Sequence, residues 1–517
     1  MKKTKRELLV LAAATTVALS MGVTVQAKGD EKVLNFGCQM YTDGCVNSAN
    51  DENGGWNAMR YGIAEALFKF DDNMEVIPWL AESYEVNDEH TEWTIKLKDG
   101  IKFSDGCDLT PTKVKEYFDH MKEVGPSGSA KPEKYLEFEA EVTVDDDANT
   151  INIKTSKPYA NLVGQLCHPT MGITDVEHIE NYDNGIIGTG PYKIESWDEG
   201  QAITLVKNED YFKGEPSIDK VVFKIVPDDN AKALQLKSGE LDLALLTPKD
   251  AAAFADDEAY TCYDMKTSDY RGIMFNFGNE YWQKNRDLIP AVCYGLDRQA
   301  IIDAVILGQG MPAYGPLQRN IYNYEDVEHY DYNPEKAKEI LEAAGCEMGD
   351  DGFYYRDGEK VGFVISVSAG DQVRIDMAQI AAQELKEIGM DVSVEIPAQT
   401  DWAGQMAFLI GWGSPFDADD HTYKVFGTDK GANYSGYSNA DVDKYLTEAR
   451  QSADPEVRAE AYANFQKALA EDPAYAMICY IDANYVADSN IKGIDSDTIM
   501  GHHGVGIFWN VADWTIE

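Results

Sequence analysis

The sequence predicts an α/β protein of two lobes, with an extra β-rich insertion in its first half. Three observations predict this class. The first half is dense in strand-period segments. A strand–helix–strand unit occupies residues 221–246, and a second, clearer one occupies residues 363–396. The length of 517 residues agrees, since single cores stop growing at roughly 250–300 residues.

The elements follow in chain order. Trp93, Ile95 and Leu97 alternate with Thr94, Lys96 and Lys98, a strand with one buried face. Residues 192–197 and 203–207, joined by a turn at Asp198-Glu199-Gly200, form a hairpin. Residues 221–226 are a near-continuous apolar strand. A helix starting near Asp229 stops at Gly239, and a short strand covers 241–246, an order that implies a parallel crossover. Asn333-Pro334 opens a helix that stops at Gly345. Residues 363–367 are a strand. Residues 374–388 are helical, with Ile375, Ala378, Ala382, Leu385 and Ile388 on one stripe and Gly389 as the stop. Residues 392–396 form the returning strand. Asp454-Pro455 opens a helix running to about Ala470, with Val457, Ala461, Phe465 and Leu469 as its buried face.

Charge and composition exclude whole classes. Lys and Arg number 45 against 90 Asp and Glu, a formal net charge of −45. A field of this sign repels phosphate backbones, so no nucleic-acid partner is expected. The acidity suits a solvated surface and also tolerates a cationic ligand. With 44% hydrophobic residues, 9 Trp and 29 Tyr, the chain can bury large cores, which excludes global disorder.

Residues 1–27 read as a secretory leader. Lys2, Lys3, Lys5 and Arg6 precede an apolar run from Leu8 to Val25, and Val25-Gln26-Ala27 offers a small-residue cleavage site. The alternative is a retained anchor, for which the run is barely long enough. No Cys directly follows the run, so no lipid attachment is expected. The chain is read as exported, soluble and extracytoplasmic, or periplasmic. All eight cysteines lie after the leader, where disulfides are permitted, and Cys38 and Cys45 are close enough to close a small loop. No CxxC pair or Cys/His array supports a structural zinc site.

Catalytic signatures are missing. There is no G-x-x-x-x-G-K-[ST] loop, and Pro191 in Gly188-Thr189-Gly190-Pro191-Tyr192-Lys193 removes an amide that a phosphate loop needs. No H-E-x-x-H and no G-x-S-x-G elbow occurs. Asp145-Asp146-Asp147 lacks the spacing and terminal Glu of a calcium loop. An exported hydrolase is therefore the weaker reading, and no cofactor is expected.

Several segments, taken in order, carry a family resemblance. They are Ile77-Pro78-Trp79-Leu80-Ala81-Glu82-Ser83-Tyr84, then Trp93-Thr94, and Leu97-Lys98-Asp99-Gly100-Ile101-Lys102-Phe103-Ser104-Asp105-Gly106. Gly188-Thr189-Gly190-Pro191-Tyr192, Asn208-Glu209-Asp210-Tyr211-Phe212 and Leu296-Asp297-Arg298-Gln299-Ala300-Ile301-Ile302 continue the pattern. Together they resemble the peptide/nickel family, family 5, of extracellular solute-binding proteins of ABC importers. The resemblance implies a type II, two-lobed periplasmic-binding-protein clam-shell with an additional β-rich subdomain. After the leader at 1–27, it implies lobe I at 28–72, 188–266 and 483–517, the β-rich subdomain at 73–187, and lobe II at 267–482. It further implies a monomer that captures a small ligand between closing lobes and delivers it to a membrane permease and, through that, to ATPase subunits. An adhesion or sensory module on the same clam-shell is a third reading.

The resemblance also ranks ligands. Dipeptide carriers of this family usually place an Asp three residues after a Trp such as Trp412, to meet the peptide's amine. Here that position is Pro415. Trp412-Gly413-Ser414-Pro415-Phe416-Asp417 is more similar to the nickel-chelate carriers. Trp412 and Phe416 would then line the cleft, with lobe core as the plainer alternative, and Asp417 would face the cleft. Trp402 falls where those carriers place another aromatic, and Trp56 joins the candidate ligand set. Where they hold a chelator's carboxylate with an arginine, this chain has His168, which can ligate a metal or accept a different anion. His502-His503 can offer imidazoles to Ni²⁺ or Cu²⁺, or form a solvated loop. Asp419, Asp420 and His421 read as a surface face. The reading leans to a nickel or other metal chelate as cargo, with a short oligopeptide as the alternative.

Overall fold

A computed structural model describes residues 31–38, 58–71, 75–124, 140–177, 186–198, 200–413, 417–497, 499, 501 and 506–517. The leader and Cys45 lie outside them. Among the described residues no helix is long and apolar enough to cross a membrane.

The chain forms two α/β lobes that share one eleven-stranded sheet. Two long strands, Tyr260–Phe275 and Tyr475–Asp488, run antiparallel from lobe to lobe, and their register shifts between Lys266 and Tyr270. On the first-lobe side, Tyr475–Asp488 pairs with Leu243–Leu246, followed by Val33–Cys38, Lys220–Ile225, Ala202–Lys207 and Tyr192–Asp198. On the second-lobe side, Tyr260–Phe275 pairs with Ala407–Trp412, followed by Val364–Ser366 and Ser393–Glu395.

The expected units fall into this frame. Helix Asp229–Ser238 starts where the Asp228 carboxylate accepts the Ala231 amide, and it stops at Gly239, whose φ of +75° an L side chain resists. Its flanking strands are both parallel to Val33–Cys38 and sit on either side of it, so the crossover spans that strand. In the second lobe, Val364–Ser366 and Ser393–Glu395 are parallel partners joined through helix Gln372–Glu387. The stripe Ile375, Ala378, Ala382, Leu385 and Ile388 is buried as expected. Helix Pro455–Glu471 buries Ala461, Phe465 and Leu469, but Val457 is 45% exposed. Its first turn runs past the core, and Tyr462 fills the stripe instead.

A four-stranded antiparallel sheet in the first half runs in the order Ala81–Val86, Glu92–Leu97, Thr150–Thr155, Ala140–Asp145. It is covered by helix Pro111–Val124, which the strand-period reading passed over. The signal was present. Val114, Tyr117, Phe118 and Met121 recur at helical spacing, and all four are buried with Trp93, Ile95 and Leu97. Cys38 is a buried free thiol, and no disulfide links the described cysteines.

Glu65 holds this subdomain to the first lobe. Its Oε1 accepts from Trp79 Nε1 at 2.8 Å and from the Tyr211 hydroxyl at 2.7 Å. Burial pushes its carboxyl up to about 7, against those two hydrogen bonds. A raised carboxyl keeps its proton in the folded state while the unfolded chain has lost it. Stability therefore falls as pH rises from about 4.5 to about 7, and the loss is complete above that. Glu65→Gln keeps an acceptor and removes the ionisation. Its stability relative to wild type is expected to rise between pH 4.5 and pH 8 by up to about 3 kcal/mol in urea unfolding. A parallel pH dependence of the two proteins would contradict this.

Candidate functional site

Ligands of open α/β sheets gather beyond the carboxyl ends of parallel strands. In the second lobe, Val364–Ser366, Ser393–Glu395 and Ala407–Trp412 are parallel and open at one edge. Trp412 ends its strand there. Trp402 precedes that strand, and Arg374 sits in the first turn of the helix that follows Val364–Ser366.

The edge carries an aromatic shelf. Trp412 stacks on Tyr434 with centroids 5.9 Å apart and planes 18° apart. Tyr434 meets Trp402 at 5.0 Å, and Trp402 meets Phe408 at 4.8 Å. Trp402 is 42% and Tyr434 40% exposed, so much ring surface is left uncovered. Polar atoms wait beside it. The buried Tyr270 hydroxyl has no hydrogen-bond partner among the described residues, and the Trp412 and Tyr475 side chains lie against each other. Tyr270 is the cross-strand neighbour of Trp412.

Two buried arginines stand at the next position, on the opposite face of the strand pair. Arg271 pairs in register with Gly411, and a Cβ on Gly411 would overlap its Nη1 and lie 2.9 Å from Arg374 Nη2. Glycine thus leaves room for two guanidinium groups. Arg271 is held by Asp269, and Arg374 Nε lies 3.1 Å from Asp371. Arg271 Nε has no hydrogen-bond partner among the described residues. The sequence reading missed Arg271, Arg374, Tyr434 and Tyr475. An arginine inside the otherwise apolar run Tyr270-Arg271-Gly272-Ile273-Met274-Phe275 was the available signal.

The structure brings Trp412 and Trp402 together through Tyr434. It treats Asp417 differently from the expected cleft-facing acid. Asp417 caps helix Ala418–Phe426 by accepting the Asp419 amide at 2.9 Å, and Arg458 Nη2 reaches both its oxygens at 2.9 Å. Burial pushes its carboxyl above the usual range, and the Arg458 charge opposes the rise. The expected surface face of Asp419, Asp420 and His421 is buried instead. Arg450 neutralises Asp419 and Lys424 neutralises Asp420, so the acids survive without water. His168 is buried too. Its Nδ1 accepts from the Thr170 amide at 3.2 Å, and its Nε2 lies 3.6 Å from Asp420 Oδ1. Burial pushes its imidazole down to about 4, so it is neutral near pH 7. Trp56, Phe416, His502 and His503 lie outside the described residues.

The pattern described as bacterial extracellular solute-binding proteins, family 5 middle, matches residues 75–434. The chain belongs to family 5 of the bacterial extracellular solute-binding proteins. Proteins of this family are the solute-binding components of ABC importers, not enzymes, and work with permease and ATPase partners. A family 5 relative, the oligopeptide-binding protein AppA of Bacillus subtilis, is 30% identical over 477 residues, covering 87% of this chain and 85% of AppA. The crystal structure of NikZ from Campylobacter jejuni in complex with Ni(L-His) superposes with a TM-score of 0.85 at 28% identity. That match covers 93% of this chain and 99% of NikZ. AppA in complex with a nonapeptide superposes with a TM-score of 0.79 at 24% identity, covering 94% of this chain and 99% of that one.

Proposed function

We propose that this family 5 protein is exported and captures a small, carboxylate-bearing metal chelate between its lobes for delivery to an ABC permease. The donors gathered at the strand end that bears Trp412 carry the reading. The Tyr270 hydroxyl and the Arg271 Nε have no hydrogen-bond partner among the described residues, Arg271 and Arg374 converge at Gly411 with Asp269 and Asp371 as their counter-charges, and Asp417 is consumed by Arg458. A donor-rich edge with an aromatic shelf suits a flat ligand rich in carboxylate oxygens, such as a metal ion wrapped by an amino acid. NikZ, which was crystallised with Ni(L-His), supports the same chemistry. The metal is then cargo, and His502 and His503 remain proposed donors to it. A short oligopeptide is the second reading, favoured by the 30% identity to AppA.

Native mass spectrometry of protein purified without denaturation tests this. A metal with its chelator is the expected co-purified mass. A ladder of peptide masses would replace the chelate by the peptide reading.

A further inference from the structure

We propose that residues 159–168, on the β-rich subdomain carried by the first lobe, form a closure latch that recognises the acidic first turn of helix Ala418–Phe426 in the second lobe. Three contacts join the two parts. Gln165 Nε2 donates to Asp419 Oδ2 at 3.3 Å. His168 Nε2 stands 3.6 Å from Asp420 Oδ1. The Arg450 guanidinium lies 5.5 Å from the centre of the Tyr159 ring. Thr170 holds the His168 ring through Nδ1, with its amide at 3.2 Å and its hydroxyl at 2.8 Å, which turns Nε2 toward Asp420.

The construction is asymmetric. Each acid already has a cation in its own lobe, Arg450 for Asp419 and Lys424 for Asp420. When the lobes part, the acids stay paired, while Gln165 and His168 meet water. When the lobes meet, all four side chains are dry, at 1–6% exposure. A buried polar group left without a neighbour of its own kind is costly, so closure favours the arrangement in which Gln165 hydrogen-bonds Asp419 and the His168 ring lies against Asp420. Helix Ala418–Phe426 also begins shortly after Trp412 in the sequence, so the latch and the aromatic shelf belong to one stretch of the second lobe. His168 is thereby a positioning residue for closure rather than a metal ligand. The inference rests on the closing-lobe reading above, not on the identity of the cargo.

Small-angle X-ray scattering tests it on the whole protein in buffer, with Ni²⁺ plus L-histidine, and with a pooled short-peptide mixture. Wild type is expected to show a closed population in at least one condition. His168→Asn keeps an acceptor for the Thr170 amide but loses the far nitrogen. Gln165→Leu keeps bulk and loses the donor. With circular dichroism showing both variants folded, each is expected to lower the closed fraction about threefold or more in that condition. An unchanged closed fraction in both variants overturns the latch, and so does a wild type that is open in every condition. A probe that leaves wild type unchanged counts against that cargo alone.

Discussion

Trp412→Ala is expected to weaken cargo binding by roughly 30-fold or more while the fold survives, as for a central aromatic anchor. The indole ends a buried strand, stacks on Tyr434 and places its Nε1 beside Tyr475 at the carboxyl edge of the second-lobe sheet. Removing it takes away a stacking face and a donor at once. Trp412 is only partly buried, so the space left behind joins the cleft instead of becoming a sealed cavity. The stability cost should therefore fall below the roughly 3–5 kcal/mol of a core Trp→Ala change. Calorimetry with Ni²⁺ and L-histidine, or with the co-purified cargo, measures the loss. Unchanged affinity would remove Trp412 from the site.

Arg458→Ala is expected to destabilise the protein by about 3–5 kcal/mol, because it leaves the Asp417 carboxylate buried without its cation. The Asp417 side chain is 12% exposed, so water screens the charge poorly. The Arg458 guanidinium also lies 5.3 Å from the centre of the Tyr322 ring, and truncation to Ala uncovers that ring face as well. Asp417→Asn separates the contributions, since it keeps an oxygen for the Asp419 amide and removes the charge. Thermal unfolding should rank wild type above Asp417→Asn and Asp417→Asn above Arg458→Ala. Equal midpoints for all three would show that the pair holds nothing.

Local order was legible along the chain. Period-two alternation located Glu92–Leu97, and Asn-Pro and Asp-Pro starts located helices Pro334–Ala343 and Pro455–Glu471. These signals are local, so propensity and capping suffice to read them. Helix Pro111–Val124 was equally readable at helical spacing but lay within a stretch dominated by strands. The site was legible only in part. Trp402 and Trp412 could be named from the sequence, but their meeting through Tyr434 depends on a loop folding back over the strand.

The sequence by itself determined the class of molecule: two α/β lobes with an inserted β-rich unit, acidic, and built from family 5 segments in their usual order. Tertiary structure alone decided which charges are paired inside the protein. Asp417, Asp419, Asp420 and His168 look alike as polar residues in a sequence. Arg458, Arg450 and Lys424 bury three of them as internal pairs, and Asp420 meets His168 across the lobes. Arg271 and Arg374, far apart in the sequence, converge where Gly411 leaves space. The physical reason is that a charge's role is set by its burial and its neighbours, and those neighbours come from helices and strands far away in the chain.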